Sequence, residues 1–446
     1  MNRTHSWRLV AVLSVVAFAA MACGKNNDNA SSTTTTGSSS AGTTSFINPK
    51  DDCRDYKPTQ GISNGTITVG TVRPAEGPYA IYDTVTKGID KYFASVNAKG
   101  GVKAGDGKTY KLNLVKADDG YDPGRTPAVV KQLVEQDGIF AMVGEIGTET
   151  SLSVRQYMND NCVPSIALAT GSPEWNDAAK YPWYISGLPS YATEATAFMD
   201  YLAKTKPDAT IALLYQSDDF GKSYQAAIKK YIADHGNKMK LVAQQSYDPA
   251  SGLTTEGLTT QLAQSKADVF FVGIGGTPCP STLKFIPADW KPLTYVSITC
   301  SGKLALSLAG GADEGVYTTQ ATYDPGDPTD QATPAVQQFM ADGKAQGLTD
   351  DELQGGIVSA GWGFGEIFTK GLELTKNVTR ADLMNTMYAF KDQNFGLLRP
   401  EVKLTTNGAK DPWLIESLRI VHRVNGGWQE ASPVKDYNGQ SVSLTG

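Results

Sequence analysis

From Gly65 onward the apolar positions switch between two periods. Residues 66–72 alternate as a strand, and residues 83–97 place Val85, Ile89, Phe93 and Val96 on one helical face. The alternation continues with a strand at 110–117, a helix at 126–136, a strand at 139–143, a helix at 151–159 and a strand at 164–169. A second series follows: helix 193–204, strand 210–215, helix 220–233, strand 241–245, helix 258–263, then strands 269–274 and 293–298. Phe220, Tyr224, Ala227, Ile228, Tyr231 and Ile232 form a clear 3.6-residue stripe. Strand–helix alternation predicts an α/β fold with parallel sheets covered on both faces, and two successive series predict two lobes.

Ligands in open parallel sheets lie beyond the carboxyl ends of the strands. Those ends fall at 73–82, 144–150, 170–175, 217–220, 275–279 and 299–302. They are rich in hydroxyls, glycines and aromatics, with no nucleophile–histidine pair. The pattern predicts a binding cleft and not an enzyme. Gly361-Trp362-Gly363-Phe364-Gly365 lacks the lysine and hydroxyl of a phosphate loop, and is expected to be a glycine-pocked helix packed tightly on a neighbour.

The N-terminus has a pattern of its own. Arg3 and Arg8 precede an apolar run at 9–22, too short for a bilayer that needs about 20 residues. This reads as a signal peptide over 1–22. Ala20-Met21-Ala22-Cys23 resembles a bacterial lipobox, with Ala20 where leucine is usual, which implies acylation of Cys23. Residues 23–46 carry runs of Ser and Thr and only one large apolar side chain short of Ile47, Phe46, so they are expected to be a disordered tether. The implied address is outside the cytoplasm, anchored by lipid to the cell membrane.

Composition narrows the partners. The chain has 40 basic and 46 acidic residues, net −6, with no basic stripe, so nucleic acid is not expected. Cys53, Cys162, Cys279 and Cys300 remain once Cys23 is set aside. An even number in an exported chain implies two disulfides, of which three pairings are possible. Cys279 and Cys300 follow neighbouring strands at one sheet end, while Cys53 and Cys162 precede strands at the opposite end of the first lobe. That placement selects Cys279–Cys300 and Cys53–Cys162. No CxxC spacing occurs, and only His235 and His422 follow the leader, so no metal or other cofactor is expected.

Val96-Asn97-Ala98-Lys99-Gly100-Gly101-Val102 closely resembles the leucine/isoleucine/valine-binding family of type I periplasmic binding proteins. Asp118-Asp119-Gly120-Tyr121-Asp122-Pro123 and Asp218-Asp219-Phe220-Gly221-Lys222 continue the resemblance, which covers about residues 62–430. It implies two Rossmann-like lobes joined by three crossings, near Gly187, Gln320 and Gly396. Lobe one would be 62–188 plus 321–395, and lobe two 189–320 plus 396–446. It also implies ligand contacts at Thr148, Glu149 and Thr150 before a helix, at Thr170, Gly171 and Ser172, at Tyr79 or Tyr82, and at Phe220. Thr277 and Thr299, at strand ends of the second lobe, complete the expected set.

The family's acid for a ligand ammonium should follow the strand at 293–298, where this chain has Thr299-Cys300. Asp218 or Asp219, or Glu145 and Glu149 from lobe one, could supply negative charge instead. The expected ligand is therefore a small polar, amino-acid-like or amide molecule rather than a branched-chain amino acid. The implied role is a monomer delivering it to the permease of an ABC importer; a sensor signalling to a membrane receptor is the alternative.

Overall fold

The computed structural model describes residues 46–49, 53–236 and 238–440. The leader, Cys23 and the tether up to residue 45 lie outside the described residues. In the first sheet, β1 (Ile62–Ser63) and β2 (Thr66–Arg73) are followed by α1 (Asp83–Ala98), β3 (Val102–Lys103), β4 (Thr109–Asp118) and α2 (Thr126–Glu135). Then come β5 (Met142–Val143), α3 (Thr148–Asp160), β6 (Ser165–Leu168) and β7 (Tyr184–Ser186). The order is β3-β4-β2-β5-β6-β7 with β1 on β2, and the pairs from β4 to β7 are all parallel.

The second sheet begins after α4 (Tyr191–Thr205) with β8 (Thr210–Gln216), α5 (Asp219–His235), β9 (Lys240–Tyr247), α6 (Glu256–Ala263) and β10 (Val269–Gly273). It continues through α7 (Pro278–Leu283), β11 (Leu293–Val296), α8 (Lys303–Leu306) and β12 (Tyr317–Gln320). The chain then makes a helical excursion: α9 (Pro334–Ala345), α10 (Asp350–Gln354), α11 (Val358–Leu374) and α12 (Arg380–Met387). It returns as the hairpin β13 (Ser417–Val424) and β14 (Gly427–Asp436), giving the order β14-β13-β12-β11-β10-β8-β9. The hairpin joins β12 antiparallel; the rest is parallel.

Strands buried on both faces need continuous apolar runs, and Val269-Phe270-Phe271-Val272 supplies one, each side chain fully shielded. The expected strand at 139–143 is shorter as a ladder because Phe140 and Ala141 bond to β2 irregularly, through Phe140 N to Thr68 O and Gly70 N to Ala141 O. The hairpin and the excursion helices other than α11 are not among the expected elements. Buried Arg419 and Arg423 interrupt the apolar alternation of β13; they are satisfied by Gln320, Glu430 and Asp313.

The glycine cluster is helical, as expected. α11 lies on α1 with glycine facing backbone on both sides: a Cβ at Gly361 would overlap the Val85 carbonyl, and one at Gly88 would stand 2.9 Å from Trp362 N. Buried Arg380 ties α12 to the first sheet through Phe140 O at 2.8 Å and Ile139 O at 2.7 Å. Disulfides join Cys53 to Cys162 and Cys279 to Cys300.

Candidate functional site

Each sheet reverses its strand order once. β2 has β4 on one side and β5 on the other; β8 has β9 and β10. A crevice opens beyond the carboxyl ends of strands at such a reversal. Here the two crevices face each other across one cavity of about 230 Å³. Tyr82, Ile146, Gly147 and Thr148 come from the first reversal, Phe220 and Gly275 from the second, and Ile298 and Thr299 from beyond β11.

The lobe-one wall is the start of α3. Gly147 precedes it at φ +112°, so the helix begins at Thr148 and not at Ser151 as expected. First-turn amides of a helix have no intrahelical acceptor and carry partial positive charge, so Thr148 presents both a hydroxyl and an anion-attracting helix end. Thr170 stands behind it, with the two hydroxyls 2.6 Å apart. Thr150 turns inward and donates to Ile146 O at 2.8 Å. Gly171 accepts from Tyr191 N at 2.7 Å, and Ser172 caps the short turn Pro173–Asn176. Of the residues expected at this wall, Thr148 alone lines the cavity; Thr170, Gly171 and Ser172 support it from behind.

The lobe-two wall rests on a group with no sequence signal. Glu194, on the first turn of α4, accepts from Tyr224 Oη at 2.8 Å, Tyr295 Oη at 2.7 Å and Ile298 N at 2.8 Å. It thereby fixes the turn that carries Ile298 and Thr299. Burial pushes its pKa up to about 7. The Cys279–Cys300 disulfide pins the same turn to α7. Phe220 packs edge-on against Tyr191, ring centres 4.9 Å apart, and both line the cavity.

Several expected contact residues bridge the lobes; of Tyr79, Tyr82, Thr277 and Glu149, Tyr82 alone also lines the cavity. Tyr79 stacks on Tyr121 with ring centres 4.0 Å apart and donates to Gln216 Oε1 at 2.8 Å. Tyr82 donates to Thr299 O and accepts from Gly276 N. Thr277 donates its amide and hydroxyl to Pro78 O. Glu149 accepts from Asp219 N at 2.7 Å, at the start of α5. These bonds hold the lobes together over the cleft.

The acids proposed to replace the missing ammonium partner lie elsewhere. Glu145 is buried in lobe one, bonded to Ser165, and burial pushes its pKa to about 7. Asp218 caps α5 and holds Gln216 Nε2 at 2.6 Å; burial pushes it to about 6. Neither lines the cavity. Asp324 and Glu366 do, and sequence reasoning missed both. They sit where the crossings meet, with Tyr323 N donating to Leu397 O at 2.8 Å. The remaining walls are largely aromatic and aliphatic, with Tyr191, Phe364, Ile367, Phe395, Leu398 and Ile415 prominent.

A family model for periplasmic binding proteins matches residues 66–421. The Leu/Ile/Val-binding protein homolog 3 of Brucella melitensis is 27% identical over 211 residues, covering 46% of this chain and 54% of its own. The Leu/Ile/Val-binding protein of Escherichia coli K12 is 31% identical over 166 residues, covering 36% and 43%. The chain thus spans about half the length of these relatives. Among solved structures, a branched-chain amino acid ABC transporter from Thermus thermophilus with bound valine superposes with a TM-score of 0.73 at 17% identity, over 84% of this chain and 97% of its own. A fatty acid ABC transporter substrate-binding protein from Thermomonospora curvata gives 0.72 at 17%, over 88% and 98%. These two likenesses establish the shared fold.

Proposed function

The chain belongs to the periplasmic binding protein family, and on that premise we propose that it is a lipid-anchored solute-binding protein serving an ABC importer. Members of this family bind solutes outside the cytoplasm and do not transform them. The observation that carries the reading is the interlobe cavity, placed at the strand-order reversals of both sheets and spanned by direct hydrogen bonds between lobes. The ligand's polar end is assigned to Thr148, the α3 N-terminus and Thr299; its body packs among Tyr82, Tyr191, Phe220 and Phe364. An amino-acid-like or amide head on an apolar body suits these walls. No acid lines the cavity beside Thr299, which disfavours the branched-chain amino acids themselves, since a buried ammonium needs a counter-charge.

A thermal-shift screen of amino acids, amides and aromatic acids tests this, because native-state binding raises apparent stability by mass action. One class should stabilise the protein, and Thr148→Val should remove the effect; turnover of a candidate solute would refute the reading. Membrane attachment is tested by Cys23→Ser, which should release the protein or leave it unprocessed. Unchanged retention and processing would exclude the lipid anchor.

A further inference from the structure

We propose that the ligand carries a positively charged nitrogen, received by Glu366 and Asp324 at the crossing end of the cavity. This rests on the solute-binding reading above and adds the charge of the ligand to it.

The cavity is lined by two carboxylic acids and by no lysine, arginine or histidine. Carboxylates removed from water are costly unless paired or protonated. Burial pushes Glu366 to about 7 and Asp324 to about 6, so above those values a cation completes a cavity with two acids and no base. Glu366 belongs to the face of α11 that also presents Ala360, Gly363 and Ile367 to the cavity. Its carboxyl group lies against the crossing at Gly396, where a Cβ would stand 2.6 Å from Glu366 Cδ. Only glycine leaves room for it there. Lys370, one turn further along α11, is bonded to Glu373 at 2.5 Å. Among the described residues no ion pair reaches Glu366; Trp362 donates to its carboxyl and Lys370 attracts it from a distance, yet burial outweighs both and pushes its pKa up to about 7.

Asp324 is similarly placed. One of its oxygens accepts from Gly326 N at 2.8 Å, and the other takes no bond among the described residues. The nearby cations form their ion pairs elsewhere, Arg399 with Asp330 at 2.6 Å and Arg423 with Asp313 at 2.6 Å; Arg423 still attracts Asp324 from a distance, but burial prevails. The neighbouring acid Asp327 accepts from Trp428 N at 2.6 Å and Thr329 N at 2.8 Å. So Asp324 and Glu366 are the acids of this region that face the cavity with capacity to spare. Ligand polarity then runs along the cavity, with the neutral or anionic head at Thr148 and the α3 N-terminus, and the cationic nitrogen at the crossings.

Three probes of one shape and different charge test the assignment: n-butylammonium, butanoate and butyramide, by thermal shift at pH 8. We expect n-butylammonium to raise the wild-type Tm by about 2 °C or more at high concentration, and butanoate and butyramide to do less. Glu366→Gln and Asp324→Asn, made separately and together, should each reduce the n-butylammonium response relative to its own unliganded baseline. The double variant should abolish it. No response of the wild type to n-butylammonium, an equal response to all three probes, or an unchanged response in the double variant would each overturn the proposal. Failure of the solute-binding reading is separable: it would appear as no response to any class in the wider solute screen.

Discussion

Gly361 and Gly363 stand two residues apart in α11 and should respond oppositely to the same change. A Cβ at Gly361 would lie 2.7 Å from the Val85 carbonyl carbon and 3.0 Å from its Cα, backbone atoms that cannot rotate away. A Cβ at Gly363 meets nothing within 4 Å. Ala is favoured over Gly within a helix by about 1 kcal/mol. Gly363→Ala should therefore stabilise by up to that amount. Gly361→Ala gains the same helical preference but forces α1 and α11 apart, and overpacking of this kind costs about 1–3 kcal/mol. Glycine at 88 faces the same contact from the other side, so no small side chain is available to yield. The net expectation for Gly361→Ala is a loss of up to about 2 kcal/mol. With unfolding entropy near 2.1 cal/mol/K per residue over roughly 390 residues, that is a fall in Tm of about 2 °C, alongside a rise of about 1 °C for Gly363→Ala. Urea unfolding followed by far-UV circular dichroism gives the difference directly. Gly361→Ala as stable as wild type, or both variants losing equally, would refute the packing argument.

Other expectations concern bridges, charge and closure. Replacing Cys53–Cys162, which closes a loop across 109 positions, should cost more than replacing Cys279–Cys300 across 21; chain entropy gives about 4.7 against about 3 kcal/mol, and matched Cys→Ala pairs measured by denaturant unfolding check the order. Burial raises the Glu145 pKa from 4.5 to about 7. Its folded value exceeds its unfolded one, so its contribution is full below pH 4.5 and is lost as pH rises to 7, by about 2–3 kcal/mol. Glu145→Gln should flatten that part of the stability–pH curve, and a curve parallel to wild type would show the carboxyl is not the cause. Tyr79→Phe with Glu149→Ala removes two interlobe bonds, each worth about 1 kcal/mol. The unliganded double variant should be more open, read as a larger radius of gyration in solution scattering; an unchanged radius would count against the latch.

Much of the fold was legible because parallel strands and amphipathic helices write their periods locally. Phe220, Tyr224, Ala227, Ile228 and Tyr231 are all buried on α5, as their spacing implies. The disulfide pairs were legible from strand ends alone. The hairpin was not, because Arg419 and Arg423 are buried in β13 and break its apolar alternation. The candidate cavity was legible only in part. Tyr82, Thr148, Phe220 and Thr299 follow strands, where sheet topology directs attention, and all four line the cavity. Glu366 reaches it from a helix face, and Asp324 from a crossing segment just past β12. Glu366 is brought there only by the packing of the excursion onto lobe one. Glu145 looked equivalent in sequence to a cleft acid, yet its side chain points into the sheet's own core.

The path of the chain also bears on when the protein can finish folding. The second sheet needs β13 and β14 beside β12, but about a hundred residues, most of them in the helical excursion, separate the two. A chain emerging from the ribosome thus lacks part of that sheet until residues 417–436 have been made. The turn bearing Ile298 and Thr299 is pinned by a disulfide that forms only in an oxidising compartment. Both features make the second lobe, and the cavity wall it carries, late products of folding that depend on distant chain segments and on oxidation.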